Sequence, residues 1–195
     1  VLVARNNSGK SKSFPVLEME FNQNSNQVEY VILPSRIPEK IKVKSLEIAN
    51  SVSNSLNHVG LIAVELFCTQ NDEVLVNEIA PRVHNSGHLT IESCITSQFE
   101  QHIRAIFDMP LGSVNQILPG VMVNLVGEKN HNGEASYHNI DKAFDLDGVY
   151  PHIYGKKITK PNRKMGHITI INEKLEKAVS KAKILKNTIK IISTE

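Results

Sequence analysis

The sequence predicts an α+β protein in which antiparallel strands are interrupted by amphipathic helices. Strand-like runs are separated by short polar turns, which favours antiparallel pairing of neighbouring strands. Two longer segments instead place apolar residues at intervals of three and four, the spacing of a helix with one apolar face. With 195 residues, of which 41% are hydrophobic, the chain can bury one large core or two small ones.

Composition argues against several classes of function. The formal net charge is only +2, Trp is absent and aromatic residues make up 5%, so we expect no nucleic-acid partner. No apolar run approaches the ~20 residues of a membrane-spanning helix, so we expect no membrane partner and a cytoplasmic location. Cys68 and Cys94 lack metal-ligand spacing and are interpreted as reduced thiols. The strand-like run at Val1 predicts a fragment of a longer protein.

Three strands are expected near the amino terminus, over residues 1–5, 13–21 and 28–34. The first two are joined by NNSGKSK, whose Asn, Ser and Gly favour a turn. The triplet at 9–11, Gly-Lys-Ser, is similar to the end of a phosphate-binding loop. That motif also needs a glycine where this chain has Ala4, so we expect a hairpin turn instead.

Two helices are predicted before residue 110. Pro38 is placed for the start of the first, whose apolar residues recur at helical spacing as far as Gly60. Ser97 and Glu100 have the spacing of a capping box at the start of the second. Pro110 ends that helix.

The pattern changes to shorter pieces after the junction MPLGSVNQ. Strands are predicted over 120–127, 148–156 and 166–171, with a short helix at 141–144 and a lysine-rich helix over 173–191. We therefore predict a first domain over residues 1–112, with an antiparallel sheet and helices, and a small mixed β/α domain over residues 113–195.

The strands 61–67 and 74–80 are expected to form a hairpin with a two-residue turn at Asn71 and Asp72. That turn places Glu65 directly opposite Glu78. The same register pairs Ala63 with Ala80, Val64 with Ile79, Phe67 with Val76, and Cys68 with Leu75.

The facing acids suggest a metal site. Two carboxylates on opposed residues, at ~5 Å between Cβ atoms, repel each other. Mg²⁺ removes this repulsion, and it commonly takes one or two carboxylates and completes its shell with water and substrate phosphates. The alternative is a longer loop that shifts the register and leaves one or both acids in solvent.

A polar sequence, PRVHNSGH, follows Glu78 after two residues. The guanidinium of Arg82 suits phosphate or carboxylate, and the side chains of His84, Asn85 and Ser86 add neutral donors and acceptors. This composition suggests an anion-binding loop. The alternative is structural, with a turn shaped by proline and glycine, helix caps and histidines on the surface.

A second basic cluster occurs late in the chain, between two predicted strands. Arginine gives bidentate contacts to a phosphate monoester and lysine a point charge, so this segment can hold such a group. A solvated basic turn is the alternative. The cluster comprises Lys156, Lys157, Lys160, Arg163 and Lys164.

Three stretches together resemble one enzyme family. They are GLIAVELF, then VLVNEIAPRVHNSGHLTIESCITSQFEQHIRAI, and later HIYGKK with NRKMGHITI. They are similar to the 5-(carboxyamino)imidazole ribonucleotide synthases, ATP-grasp enzymes of purine biosynthesis. The resemblance implies the later part of an ATP-grasp domain followed by the small C-terminal domain, about half of such an enzyme.

The resemblance also implies a reaction and its partners. ATP phosphorylates bicarbonate to carboxyphosphate, which then carboxylates the exocyclic amine of 5-aminoimidazole ribonucleotide. The complete enzyme is expected to be a homodimer. The fragment lacks the N-terminal half that supplies most of the ATP pocket, so we expect little or no activity from the chain alone.

Individual residues match the motifs of that family. The resemblance implies that Glu65 and Glu78 bind Mg²⁺ or Mn²⁺. Many ATP-grasp ligases have an asparagine ligand where this chain has Ala80, which leaves fewer protein ligands for the metal. The remaining implied roles are ATP binding by Asn77, Glu78 and Phe67, catalysis by Arg82, His84, Asn85 and Ser86, and binding of the substrate phosphate by Lys156, Arg163 and Lys164.

Two other functions are compatible with parts of the pattern. Another ATP-grasp purine ligase or carboxylase would share the paired acids, but is not expected to carry both APRVHNSGH and the later YGKK and RKMGH. The other possibility is a non-enzymatic phosphate-binding module formed by the isolated chain.

Overall fold

A computed structural model of the chain describes residues 1–22 and 27–194. The chain divides into two compact units. The first comprises residues 1–18 and 33–117, and the second comprises residues 19–32 and 118–195. The described residues 19–22 and 27–32 thus belong to the same compact unit as the C-terminal part of the chain.

The fold class is α+β, as the sequence predicts, with helices and antiparallel strands interspersed along the chain. The helices are α1 (Glu39–Leu56), α2 (Thr90–Ser93), α3 (Gln98–Ile106), α4 (Asp141–Phe144) and α5 (Leu175–Thr188). The strands are β1 (Leu2–Arg5), β2 (Ser11–Ser13), β3 (Glu18–Phe21), β4 (Val28–Leu33), β5 (Gly60–Cys68), β6 (Val74–Ala80), β7 (Gly120–Val126), β8 (Gly133–His138), β9 (Val149–Ile153), β10 (Ile158–Thr159), β11 (Lys164–Ile171) and β12 (Lys190–Ser193).

The first unit contains a four-stranded sheet in the order β2-β1-β5-β6. The hairpin turn between β1 and β2 forms as predicted, with the main-chain N–H of Asn6 donating to the carbonyl of Lys10 at 3.0 Å. The predicted strand over 13–21 is wrong in one respect, because it divides into β2 and β3. Pro15 lies in the gap, and proline cannot donate a ladder hydrogen bond.

Helices α1 and α3 pack against strands β1 and β5 of this sheet. Helix α1 begins after Pro38, as predicted. At the start of α3, the hydroxyl of Ser97 accepts the N–H of Glu100 at 3.2 Å. The carboxylate of Glu100 bonds to Arg104 at 2.8 Å, so Ser97 supplies the predicted cap while Glu100 forms an ion pair along the helix.

The second unit contains a five-stranded sheet, β3-β4-β7-β11-β9, and a three-stranded sheet, β10-β8-β12. Helix α5 packs against β7 and β11 and buries Ala178, Ala182 and Leu185. Strands β7, β9 and β11 and helix α4 confirm the elements predicted at 120–127, 148–156, 166–171 and 141–144.

Two features of the second unit differ from the sequence prediction. The last helix was expected to continue to residue 191, but it ends at Thr188, and Ile191 lies in β12 opposite Tyr137. The β-branched residues at 189, 191 and 192 favour this extended conformation. Strand β8, with the sequence GEASYH, was not predicted because it lacks a continuous apolar pattern. Among the described residues, no helix is both long enough and apolar enough to cross a bilayer.

Candidate active site

The hairpin of β5 and β6 places Glu65 directly opposite Glu78. The neighbouring pairs Val64 with Ile79 and Ala63 with Ala80 also form as predicted. The register at the acids is therefore confirmed, and the like charges face each other across adjacent antiparallel strands.

The turn that produces this register differs from the predicted two-residue turn. The main-chain N–H of Thr69 donates to the carbonyl of Glu73 at 2.9 Å, which leaves residues 70–72 in the loop. Asp72 has φ of 59°, the left-handed conformation that commonly ends a three-residue hairpin loop. The pairs near the turn are accordingly shifted by one residue, Phe67 to Leu75 and Cys68 to Val74, so both predicted pairings there are wrong.

A β-bulge restores the register before the acids. The ladder shifts between Glu65 and Leu66, and Asn77 is the extra residue on β6. The longer loop and the bulge each displace the pairing by one residue in opposite senses. Their effects cancel at Glu65 and Glu78.

The two acids differ in exposure. The side chain of Glu65 is 14% exposed, whereas Glu78 is exposed. The main-chain N–H of Val64, next to Glu65, donates to the carbonyl of Val1 at 2.8 Å.

The donor set of the acid pair suits a hard divalent cation. Within residues 1–22 and 27–194, no group of three or more His, Cys, Asp and Glu side chains is arranged to hold a metal ion. Mg²⁺ commonly needs only one or two protein carboxylates when phosphates and water complete its shell. The facing carboxylates of Glu65 and Glu78 therefore fit a cation that binds together with a nucleotide.

An apolar surface lies beside the acids. Phe67 and Leu75 face each other in the ladder, and each is 52% exposed. Phe67 lies two residues after Glu65 on β5, so it shares the face of the acids. The bulge brings Leu75 to that face, and sequence reasoning missed this residue because it assumed an uninterrupted ladder. Asn77 is exposed on the same strand.

The polar loop after β6 brings a histidine to the acid pair. The Nε2 atom of His84 lies 3.6 Å from Oε1 of Glu65. The Nδ1 atom of His84 lies 2.9 Å from Oγ of Ser86 and accepts the main-chain N–H of Ser86 at 3.4 Å. With Nδ1 as an acceptor, the ring proton is on Nε2 and points toward the carboxylate.

The other predicted residues of this loop vary in exposure. Ser86 is buried in the 3-10 turn Asn85–Gly87, and Asn85 is half-buried. Arg82 is exposed, and its guanidinium donates to the carbonyl of Val83 at 3.0 Å. The loop thus presents an exposed cation next to a buried and ordered turn.

Sequence reasoning missed the residue that holds this turn, Gln98. Its side chain is fully buried and bonds to the main chain of His84 and to the ring of His88. The apolar residues whose spacing predicted α3, Phe99, Ile103 and Ile106, are instead 38%, 49% and 44% exposed. The only signal in the sequence was a glutamine directly after the Ser97 cap.

In the second unit, the basic cluster lies between β9 and β11. The ammonium of Lys156 donates to the carbonyl of Lys164 at 2.7 Å. The guanidinium of Arg163 donates to the carbonyl of Ile158 at 2.9 Å. The side chain of Lys156 is thus held against the start of β11, and the side chain of Arg163 is held against β10.

Aromatic side chains lie beside the basic cluster and were not predicted as part of it. The rings of His152 and His167 stack at 4.4 Å between centroids, and Nδ1 of His167 lies 3.0 Å from the hydroxyl of Tyr154. The ammonium of Lys156 lies 5.5 Å from the centre of the Tyr154 ring. The pairing of β9 with β11 produces this cluster, because it places His152 opposite His167.

Comparison with known proteins matches each part of the chain to a domain family. The ATP-grasp domain family matches residues 1–99, and the phosphoribosylaminoimidazole carboxylase C-terminal domain family matches residues 120–181. The N5-carboxyaminoimidazole ribonucleotide synthase of Bacillus subtilis is 42% identical over 174 residues, which cover 89% of this chain and 43% of that protein.

Solved structures agree with these matches. The N5-carboxyaminoimidazole ribonucleotide synthetase of Thermotoga maritima has a TM-score of 0.91 and 47% identity, covering 99% of this chain and 51% of that chain. The N5-carboxyaminoimidazole synthase of Aspergillus clavatus, in complex with ADP and 5-aminoimidazole ribonucleotide, has a TM-score of 0.84 and 30% identity, covering 95% and 49%.

The chain spans about half the length of these relatives. The ATP-grasp match covers half of this chain, and the paired acids lie within it. From the fold, the motifs and these matches we conclude that the chain belongs to the ATP-grasp family and is similar to the C-terminal half of the N5-carboxyaminoimidazole ribonucleotide synthases.

Proposed function

We propose that this chain provides half of the active site of an enzyme that carboxylates 5-aminoimidazole ribonucleotide. ATP and bicarbonate are the other substrates, and carboxyphosphate is the intermediate. The facing pair of Glu65 and Glu78 next to the His84 loop is the observation that carries the proposal. The Aspergillus clavatus relative, whose structure holds ADP and 5-aminoimidazole ribonucleotide, supports the choice of substrates.

The acid pair would hold the metal and the nucleotide phosphates. In this proposal Glu65 and Glu78 bind Mg²⁺ or Mn²⁺, which supplies charge neutralisation to the phosphate oxygens of ATP. Asn77 and the exposed ring of Phe67 contact the nucleotide, and Leu75 extends the apolar surface next to Phe67. Most of the ATP pocket would come from the half of such an enzyme that this chain does not span.

The loop from Arg82 to Ser86 would bind the anionic intermediate. A bicarbonate oxygen forms a bond to the γ-phosphorus of ATP, and the bond from that phosphorus to the oxygen of ADP breaks. The positive charge of Arg82 and the donors of His84, Asn85 and Ser86 stabilise the transferring phosphoryl group and the carboxyphosphate. The amine nitrogen of the ribonucleotide then bonds to the carboxyl carbon, the bond from that carbon to the phosphate oxygen breaks, and one amine proton leaves with the phosphate.

Three residues of the basic cluster in the second unit, Lys156, Arg163 and Lys164, would bind the 5′-phosphate of the ribonucleotide. Lys156 and Arg163 are already ordered by main-chain carbonyls, so less side-chain entropy is lost when a phosphate binds. Lys164 adds a third cation on the same segment. Arginine supplies the bidentate contact and the lysines supply point charges.

We further propose that the complete enzyme is a cytoplasmic homodimer. The exposed apolar side chains of α3 and its end, which include Phe99, Ile103, Ile106 and Phe107, support an interface on the first unit. Size-exclusion chromatography with light scattering of a complete enzyme would measure the subunit number. A monomer under all concentrations tested would contradict the dimer.

The function is tested in a hybrid enzyme, in which this chain replaces the matching half of the Thermotoga maritima synthetase. We expect the hybrid to form ADP only when bicarbonate and 5-aminoimidazole ribonucleotide are both present. Glu78→Gln removes a charged ligand at the proposed metal, so kcat should fall by about 10²–10³-fold, the cost typical of losing one group that stabilises developing charge. Glu73→Gln, an exposed acid on the same hairpin, is the matched control and should leave kcat unchanged.

Three outcomes would contradict the proposal. Equal activity of the Glu78→Gln and Glu73→Gln hybrids would remove the acid pair from the reaction. ADP formation that depends on formate or glycine in place of bicarbonate would indicate a different ATP-grasp ligase. Full synthase activity from the isolated 195-residue chain would show that the other half of the relatives is not needed.

A further inference from the structure

The carboxamide of Gln98 makes three hydrogen bonds to the segment 84–88. Its Oε1 accepts the main-chain N–H of His84 at 2.9 Å, and its Nε2 donates to the carbonyl of His84 at 2.7 Å. The same Nε2 lies 2.9 Å from Nδ1 of His88. Gln98 is fully buried, so these bonds are shielded from water, and losing any of them would leave a buried polar group unpaired.

We propose that Gln98 is a positioning residue that holds His84 against Glu65 and keeps His88 in the neutral tautomer with its proton on Nε2. The importance of this placement for catalysis rests on the proposed function. The tautomer of His88 does not, because it follows from the hydrogen-bond geometry alone.

The main chain fixes which end of the carboxamide is oxygen. An N–H can only donate and a carbonyl can only accept, so the two bonds to His84 determine the orientation of the Gln98 amide. The second hydrogen of the NH₂ group then points to Nδ1 of His88. That nitrogen must offer a lone pair, which places the ring proton on Nε2.

Close packing supports the same arrangement. A Cβ atom added at Gly87 would lie 2.3 Å from Oε1 of Gln98, so the carboxamide occupies the space that any larger residue would need. The hydroxyl of Thr90 accepts the main-chain N–H of Gln98 at 2.8 Å and donates to the carbonyl of Gly87 at 2.6 Å. Both the main chain and the side chain of Gln98 are thus tied to the loop.

The hydrogen bonds of the Gln98 carboxamide act where the loop meets the acid pair. Gln98 bonds to both main-chain groups of His84, whose ring lies between Ser86 and Glu65. If the hydrogen bonds from Gln98 to His84 are lost, the His84 ring can move away from this position. A displacement of about 1 Å in a group that orients reactants can cost ~10²-fold in rate.

Helix α3 offers a matched control, Gln101. It is also fully buried, and it clamps both main-chain groups of another residue, Gly112, with bonds of 2.8 Å and 3.0 Å. The two glutamines share a helix, their burial and the form of their main-chain contacts. They differ in the loop that each one holds.

The first test measures the His88 tautomer by the ¹⁵N chemical shifts of its imidazole in the 195-residue chain. We expect a protonated Nε2 and an unprotonated Nδ1 in the wild type. In Gln98→Glu a carboxylate oxygen faces Nδ1, so that nitrogen should acquire a proton, whereas Gln101→Glu should leave the His88 signals unchanged. A wild-type His88 with its proton on Nδ1, or signals equally unaffected by both substitutions, would overturn the proposal.

The second test measures activity in the hybrid enzyme. Gln98→Met keeps the length and burial of the side chain but removes the amide, so kcat should fall by about 10–100-fold with little change in the KM for ATP. Gln101→Met should lose stability to a similar extent while retaining kcat. Equal losses of kcat in the two variants would make Gln98 a structural residue only.

The outcomes of the two tests can be told apart, because only the second depends on the proposed function. A wild-type hybrid without synthase activity would count against the proposed function, while the ¹⁵N spectrum would still decide the tautomer. If Gln98→Met does not fold, the conservative Gln98→Asn provides the kinetic comparison with Gln101→Asn.

Discussion

Two loops of the first unit are held by buried carboxamides, whereas two basic side chains of the second unit are held at the surface by main-chain oxygens. Gln98 and Gln101 are fully buried and each bonds to both main-chain groups of a loop residue. Lys156 and Arg163 each bond to a single carbonyl through a partly exposed side chain.

This difference predicts two kinds of response to substitution. A buried hydrogen-bond network loses the full desolvation cost of any group that is left unpaired. A surface cation returns to water when its contact is lost, at little cost to the fold. Substitutions in the Gln98 network should therefore change stability, while those in the basic cluster should change ligand binding and its salt dependence.

The largest expected loss of stability is at Gly87. In Gly87→Ala the new Cβ would lie 2.3 Å from Oε1 of Gln98 and 2.6 Å from Cδ1 of Leu2. Overpacking of this kind costs about 1–3 kcal/mol, and we expect the upper part of that range because the two obstacles are buried. Hydrogen exchange of first-unit amides, measured in the native state, would report the change.

Gly155→Ala is the comparison in the second unit. Gly155 has φ of 67° and nothing within 4 Å of an added Cβ, so its cost comes from backbone conformation alone. That cost is about 1–2 kcal/mol. A loss at Gly155 equal to or larger than the loss at Gly87 would contradict the distinction between the two units.

The next effect concerns the ribonucleotide phosphate. In the hybrid enzyme, Lys156→Ala should raise the KM for 5-aminoimidazole ribonucleotide by about 10–100-fold, since a charge-assisted hydrogen bond contributes about 1.5–3 kcal/mol. The adjacent Lys157, which is exposed, supplies the control, and Lys157→Ala should change that KM by less than about 3-fold. Added salt should raise the wild-type KM and should affect Lys156→Ala less. An equal rise of KM in both variants would show that Lys156 acts only through the overall positive charge of the cluster and makes no specific contact with the phosphate.

The smallest expected effect is the loss of stability in acid. Burial raises the pKa of Glu18, but the hydrogen bonds and charge of Arg36 outweigh it and hold the pKa below its ordinary value of 4.5. In the second unit, burial likewise raises the pKa of Glu29, while Lys186 and Asn22 together hold it below 4.5. Each pair therefore stabilises the protein fully above pH 4.5, and the contribution is lost as the pH falls through the lower folded pKa.

Each pair should contribute no more than about 1 kcal/mol, because solvent screens partly exposed charges and Arg36 is 44% exposed. All four tyrosines, at positions 30, 137, 150 and 154, belong to the second unit, so tyrosine fluorescence follows the unfolding of that unit. Lys186→Ala should reduce the acid sensitivity of the fluorescence transition, and Lys183→Ala, an exposed position on the same helix, should not. An unchanged acid sensitivity of the fluorescence transition in Lys186→Ala would show that the Glu29–Lys186 pair does not contribute to the loss of stability in acid.

The pairing of Glu65 with Glu78 was predictable from the sequence, but the loop and the bulge that produce this pairing were not. Glu65 and Glu78 are separated by a fixed number of residues, and the parity of a hairpin restricts which residues can face each other. The three-residue loop and the bulge at Asn77 offset each other, so the predicted register was right at the acids and wrong at Phe67. A local turn rule cannot detect a bulge that lies several residues away.

Burial on α3 was the clearest limit of sequence reasoning. Helical spacing identified the helix correctly, yet its buried positions are Gln98, Gln101 and Ala105. Apolar periodicity assigns the apolar stripe to the core, and it has no means to recognise glutamines that are buried because they bond to loop main chains. The fold was therefore more predictable than the residues that hold the site.

The bulge at Asn77 has a consequence for changes in chain length. The ladder on the turn side of the bulge and the ladder on the acid side are out of phase by one residue. Deletion of Asn77 alone would leave Val76 opposite Leu66 and Glu78 opposite Glu65, so the ladder would become continuous and no side chain would move to the other face. Removal of one loop residue as well would shorten the loop from three residues to two and leave the same pairs in place. The hairpin can therefore lose two residues at separate points and keep its acid pair. An alignment of two such sequences would show these deletions as two unrelated gaps.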